Sequence, residues 1–187
     1  MAGGTGLETL IAAAGGTDLG AMEAGGDRPL PPVHLWNPAH CGDIDIVIRK
    51  DGSWWHEGAP IGRNALVRLF STVLRRDPDG FHLVTPVEKL KITVEDAPFV
   101  AVRADRQGDE IVFTTNVGDR AAAGPEHPIR VETAADGAPR PYVHVRRGLE
   151  ALIARPVFYE LVAQAEARDG RLGVTSNGAW FELGAAA

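Results

Sequence analysis

Arginines set where helices should begin are the side chains of this chain whose placement most invites chemistry. Arg63 follows Pro60-Ile61-Gly62, and Arg155 precedes Pro156; each opens a stretch with helical apolar spacing. A helix start presents backbone N–H groups that have no partner inside the helix, and a guanidinium beside them makes a place for an anion. The two positions belong to a larger echo. Ile61, Arg63 and Leu69 recur as Ile153, Arg155 and Leu161, 92 residues further on each time. Asp79-Gly80 followed by Val84-Thr85 recurs as Asp169-Gly170 followed by Val174-Thr175, 90 residues further on. A near-constant offset over strand, turn, helix, Asp-Gly turn and strand points to a duplicated element. Duplication predicts two small domains and one cleft between them, lined by Arg63 and Arg155.

Other groups offer weaker chemistry. Glu88, Glu95 and Asp96 lie close in sequence, and two carboxylates held together can work as acid and base. Carboxylates at strand ends are more commonly solvated or paired, here with Lys89, Lys91 or an arginine. His127 sits in the stiff loop Gly124-Pro125-Glu126-His127-Pro128, where it either meets a ligand or holds the loop by one hydrogen bond. His34, His40, Cys41, Asp43 and Asp45 mix ligand types at spacings that match no zinc pattern, so no metal is assigned. The tryptophans at 36, 54, 55 and 180 read as core rather than as a stacking platform. There is no P-loop, no nucleophile elbow, no Cys-x-x-Cys and no His-Glu-x-x-His. Ser71 lies mid-helix with no histidine at hand. No catalytic residue and no cofactor is assigned.

Composition narrows the classes. The 187 residues carry a formal charge of −6, which argues against a nucleic-acid polymer as partner. A hydrophobic content of 44% and a charged content of 24% are ordinary for a globular chain long enough to bury a core. The single cysteine, Cys41, permits no internal disulfide, which fits a reducing compartment. No apolar run approaches the roughly 18 residues a membrane span needs. Nor does the start resemble a signal peptide, and a cytoplasmic location is expected.

The elements that must position these side chains follow from pattern. Residues 1–32 read as an N-terminal arm: one short helix with Thr5 and Glu8 as its capping box, then a linker marked by Gly25-Gly26 and Pro29, Pro31 and Pro32. Ile44, Ile46 and Ile48 alternate on one strand, and Asp51-Gly52 turns it into a second strand with Trp54 and Trp55. Leu66, Leu69, Phe70, Val73 and Leu74 form a helical stripe that ends in Arg75-Arg76. Strands follow over Phe81–Thr85, Leu90–Val94, Phe99–Arg103, Ile111–Thr115, Ile129–Glu132 and Tyr142–Arg146, with a long loop from Gly118 to Pro128. A second helix begins near Pro156 and buries Phe158, Leu161, Val162 and Ala165. Asp169-Gly170 and Asn177-Gly178 turn the last strands. The fold class is α+β with antiparallel sheets, divided into 33–93 and 94–187.

Several runs resemble the bacterial domain-of-unknown-function family 1285. They include Trp36-Asn37-Pro38, Cys41-Gly42-Asp43-Ile44-Asp45, Pro60-Ile61-Gly62-Arg63 and Leu83-Val84-Thr85-Pro86-Val87-Glu88-Lys89. Val94-Glu95-Asp96-Ala97-Pro98-Phe99, Thr115-Asn116-Val117-Gly118-Asp119 and Tyr142-Val143-His144-Val145-Arg146 continue the likeness. Gly124 to Pro128 and Gly148 to Arg155 complete it, so it spans roughly Val33 to Gly184. The resemblance implies a duplicated core and a C-terminal domain like a pleckstrin-homology barrel. It implies no established activity, but a nucleotide-like ligand at the domain interface and a role in signalling. The interface candidates it carries over are Glu88, Lys89, Glu95, Asp96, Asn116, Asp119, His127, Arg146 and Arg155.

The functional expectation is a non-catalytic, cytoplasmic signalling module that binds a small anionic or nucleotide-like molecule and passes the event to a protein partner. Two alternatives stand beside it. One is a hydrolase using Glu95, Asp96 and His127, which must then converge in one pocket. The other is a protein-binding scaffold.

Overall fold

The computed structural model describes residues 5–15 and 30–186. The chain divides into two compact units between Asp96 and Ala97. The linker expected over Gly25-Gly26 and Pro29 lies outside the described residues. No helix among the described residues is long and apolar enough to cross a membrane.

The first unit is built on one six-stranded sheet. Its strands are β1 (His40–Ile48), β2 (Trp54–His56), β3 (Ala59–Pro60), β4 (Leu74–Asp77), β5 (Gly80–Val84) and β6 (Glu88–Val94), in the order β3-β2-β1-β6-β5-β4. The helices α1 (Thr5–Ala13) and α2 (Asn64–Thr72) pack on each other. The alternation of Ile46 and Ile48 with polar residues buries both isoleucines, and Trp54 stacks on Phe70 at 6.3 Å between ring centroids.

The second unit repeats that strand order. Its sheet comprises β7 (Phe99–Gln107), β8 (Glu110–Thr115), β9 (Arg120–Ala122), β10 (Ile129–Thr133), β11 (Pro139–Arg146) and β12 (Leu149–Ile153), in the order β10-β11-β12-β7-β8-β9. Curl of the sheet brings β9 near β11. Helix α3 (Arg155–Ala163) follows β12. A three-stranded sheet of β13 (Glu166–Arg168), β14 (Arg171–Ser176) and β15 (Ala179–Ala185) ends the chain. Phe99, Phe113, Val143 and Leu149 form the core with Val157, Phe158 and Leu161 of α3. Ser176 ties the last hairpin to this core: its hydroxyl accepts the Ile111 N–H at 2.8 Å and donates to the Ala123 carbonyl at 2.7 Å.

Several expectations need correction. The two six-stranded sheets are mixed rather than antiparallel, because β1 runs parallel to β6 and β12 runs parallel to β7; the three-stranded sheet is antiparallel. Alternation tells which face a residue takes, but not which strand lies beside it. Arg75 and Arg76 do not end a helix; they belong to β4. The helix stops at Thr72, after Ser71 and Thr72 donate their hydroxyls back to the Arg68 and Leu69 carbonyls. Ala165 likewise lies beyond α3. The expected loop from Gly118 to Pro128 contains the short strand β9.

Candidate functional site

The start of α3 carries a pocket. Arg155 is its first helical residue, and Ala154 before it supplies no side-chain cap. The Arg155 guanidinium lies 5.9 Å from the Tyr159 ring, and no carboxylate among the described residues pairs with it. A cavity of about 300 Å³ opens there, walled by Arg155, Phe158 and Tyr159 on the helix, and by Asp136, Arg140 and Pro141 at the β10–β11 hairpin. Arg140 Nε donates to the Tyr142 hydroxyl at 3.1 Å. Arg63 is the N-cap of α2, also exposed and without a side-chain cap, and it lies in the first unit.

Asn116, Asp119 and Arg146 meet at the end of the second sheet where β7 begins. The turn between β8 and β9 is closed by the Thr115 N–H to the Asp119 carbonyl at 2.9 Å and by the Asp119 N–H to Thr115 Oγ1 at 3.0 Å. Asn116 extends the ladder: its side-chain oxygen accepts the Val100 N–H at 3.0 Å. Arg146 Nη2 reaches Asp119 Oδ2 at 3.2 Å, with its guanidinium 5.2 Å from the Phe99 ring. Burial pushes the Arg146 guanidinium down from its ordinary value, while Asp119 opposes that shift. The trio ties two turns together.

His127 is pinned through its Nδ1, 3.1 Å from the His144 carbonyl, and its ring stacks on that of His144 at 5.6 Å. A carbonyl only accepts, so the His127 Nδ1 carries the proton of this hydrogen bond. His144 is fixed from both sides. Its Nε2 accepts the Gly148 N–H at 3.0 Å, and its Nδ1 lies 3.0 Å from the Glu126 carbonyl. By residue type alone His144 looks like any other polar residue on an outward strand position, and only the fold brings it onto His127.

The first unit holds the remaining candidates. Lys89 Nζ donates to Asp77 Oδ2 at 2.6 Å, and Arg75 grips the same carboxylate with Nε at 2.7 Å and Nη2 at 2.9 Å. These bonds, Arg75 first, lower the Asp77 carboxyl from 3.8 to about 2. Arg75 Nη1 also donates to the Val33 and Trp36 carbonyls, clamping that segment onto β4. Buried His82 lies between Asp77, 3.8 Å from its Nδ1, and Asp79, 3.3 Å from its Nε2. Burial and then Lys89 push its pKa down from 6.5. Ligand atoms of Asp77, Asp79 and His82 fall within 4.8 Å of one another, a spacing a metal ion could use. Arg75, Lys89 and Lys91 already supply three positive charges against two carboxylates, so a divalent cation would enter against the local field. Cys41 and Asp43 lie across β1–β6 from Lys89 and Lys91, which gives that acidic face its countercharge.

Glu88 is buried on β6, and its Oε1 has no hydrogen-bond partner among the described residues. Glu95 Oε2 accepts the Lys50 N–H at 3.0 Å, which commits it to the β1–β2 turn. Glu95 and Asp96 close the first unit, while His127 belongs to the second.

The comparisons with known proteins agree on a family. Two family models match end to end: the N-terminal domain of DUF1285, a domain of unknown function, over residues 31–97, and the DUF1285 C-terminal domain over residues 98–183. The chain belongs to the DUF1285 family. A crystal structure of a family protein from Silicibacter pomeroyi is 51% identical, covers 89% of this chain and 94% of its own, and superposes with a TM-score of 0.80. A second, from Shewanella baltica, is 27% identical, covers 64% of this chain and 91% of its own, with a TM-score of 0.52. No curated protein matches. The two matched ranges include Glu88, Lys89, Asn116, Asp119 and Arg146, and the descriptions of both domains give the function as unknown.

Proposed function

We propose that this chain is a non-catalytic module that binds a small anionic or nucleotide-like molecule in the pocket at the start of α3. The observation that carries the reading is Arg155, paired with no carboxylate among the described residues, beside a helix start without a side-chain cap and opening on a cavity of about 300 Å³. Free N–H groups and the helix dipole favour negative charge there, and a guanidinium adds a fork that fits a carboxylate or phosphate. Phe158, Pro141 and Tyr159 offer an apolar wall for the rest of the ligand. The resemblance suggested a ligand between the two domains; the pocket that supports binding lies within the second unit. A cytoplasmic signalling role, in which the occupied pocket is relayed to a protein partner, belongs to the same proposal.

We further read the two sheets as a doubled plan, which their shared strand order supports. The helices do not share a place in that order: α2 lies between the third and fourth strands of its sheet, whereas α3 follows the sixth. Doubling would therefore equate β1 with β7, not α2 with α3. A curled sheet followed by one helix is also in keeping with a pleckstrin-homology-like second domain.

Calorimetry against a mononucleotide panel and inorganic phosphate tests the binding reading. The expected result is binding by the wild type, weakened at least tenfold by Arg155→Ala. A silent panel, or unchanged affinity in the variant, sinks it.

A further inference from the structure

Three properties of the pocket at the start of α3 bear on the kind of anion it fits: its donors, its charge and its walls. Helix α3 begins Arg155-Pro156-Val157, and proline has no N–H to offer. The Ala154 N–H donates to the Ala101 carbonyl at 3.0 Å, and the Phe158 N–H to the Ala154 carbonyl at 2.9 Å. Of the first turn, Arg155 borders the cavity, whereas Pro156 and Val157 do not. A phosphoryl group at a helix start is held by several neighbouring backbone N–H groups, shared among its oxygens. Here the row is interrupted at its second residue. What the turn does present is the Arg155 guanidinium, whose parallel N–H groups match two oxygens in one plane. That is the geometry of a carboxylate.

Charge sets the same limit. The charged side chains on the lining are Asp136, Arg140 and Arg155, which leave one positive charge in excess. Asp136 is fixed in the hairpin, because its Oδ1 accepts the Ala138 N–H at 3.0 Å. Arg140 gives its Nε to the Tyr142 hydroxyl. One excess positive charge balances a monoanion, whereas a phosphomonoester carries about −1.5 to −2 near neutral pH. The walls describe the rest of the ligand. Buried Phe158 and Pro141 supply flat apolar surface, with half-buried Leu152 and the exposed Tyr159 ring beside them. Such faces suit a planar ring. A cavity of about 300 Å³ stands at the lower end of the range for ligand sites. It has room for one ring system and its carboxylate rather than for base, ribose and phosphate together.

We propose that the pocket takes an aromatic monocarboxylate, with its carboxylate on the Arg155 guanidinium and its ring against Phe158, Pro141 and Tyr159. This rests on the α3 pocket being a binding site, and it narrows the ligand from small anions in general to one class.

The test follows the amide signals of the isotope-labelled full chain during titration with naphthoate, acetate, inorganic phosphate and adenosine monophosphate. Naphthoate should move the Ala138, Arg155 and Phe158 amides and bind roughly tenfold or more tightly than the other three. Arg155→Ala should weaken naphthoate by roughly tenfold. Asp136→Asn keeps an acceptor for the Ala138 N–H but leaves two positive charges in excess. It should therefore favour phosphate, and the preference for naphthoate over phosphate should fall by about threefold or more. Phosphate or the nucleotide moving the same amides as tightly as naphthoate would overturn the carboxylate assignment and leave the pocket standing. Naphthoate that moves other amides, or ignores Arg155→Ala, would overturn it as well. Amides at the pocket that answer to none of the four probes would remove the pocket and this assignment together.

Discussion

Asp77 is where the electrostatics of single residues are densest, and two pH dependences of different origin meet around it. Its carboxyl is held near 2 by Arg75 and Lys89, so the folded chain binds that proton less readily than the unfolded one does. The stabilisation is complete above the ordinary value of 3.8 and is lost as pH falls through about 2. Asp77→Asn should cost about 2–3 kcal/mol at neutral pH, because it strands two partly buried cations; urea unfolding should show that cost vanish near pH 2. His82 acts higher on the scale. Burial and Lys89 keep it neutral in the fold, while the unfolded chain takes up its proton near 6.5. Stability is therefore greatest above that value and declines as pH drops below it. His82→Gln should flatten the urea midpoint between about pH 5 and 7; a midpoint that falls as steeply as in the wild type would contradict this assignment. Lys89 was legible in the sequence as a candidate, but its partner was not. Asp77 lies twelve residues away in what reads as a plain turn, and only the β4–β5–β6 register brings the two together.

Elements show the same division between what pattern reveals and what packing decides. The isoleucine alternation of β1, the Asn177-Gly178 hairpin and Pro156 in the first turn of α3 were all readable, since each depends on local geometry. The parallel pairings of β1 with β6 and of β7 with β12 were not, because the partners lie 40 or more residues apart and no short motif records them. Gly173 is a further case. It sits in the middle of β14 at a register shift against β15, and nothing in the sequence marks it. A Cβ there would lie 2.4 Å from the Trp180 ring and 2.5 Å from the Phe181 carbonyl oxygen. The backbone cannot retreat without breaking the ladder, and the Arg168 guanidinium already stands over the indole at 4.2 Å. Gly173→Ala should therefore destabilise the chain by about 1–3 kcal/mol, despite the usual gain when alanine replaces glycine in a strand. Thermal unfolding gives the answer, and a Tm at or above the wild-type value would show that β15 yields more freely than this packing allows. Gly184, on the neighbouring strand, has open space around it and serves as the control.

At the scale of the whole molecule, the informative fact is that neither sheet borrows a strand. Every strand of the second six-stranded sheet comes from between Phe99 and Ile153, and α3 and the last three strands close over it from the same side of the Asp96–Ala97 division. The core residues Phe99, Phe113, Val143, Leu149 and Phe158 find one another within this stretch, and the buried hydroxyl of Ser176 has both its partners there too. A segment of this size buries a smaller share of its surface than a larger domain would, so its margin is modest, yet domains no longer than this fold alone. The fragment from Ala97 to Ala187 should accordingly give a dispersed amide spectrum, with slow exchange at Val112 and Phe113 in β8. A collapsed spectrum with uniform exchange would mean that the six-stranded sheet needs more of the chain than its own strands to hold its shape, and that the sequence division near Asp96 separates two halves of one folding unit.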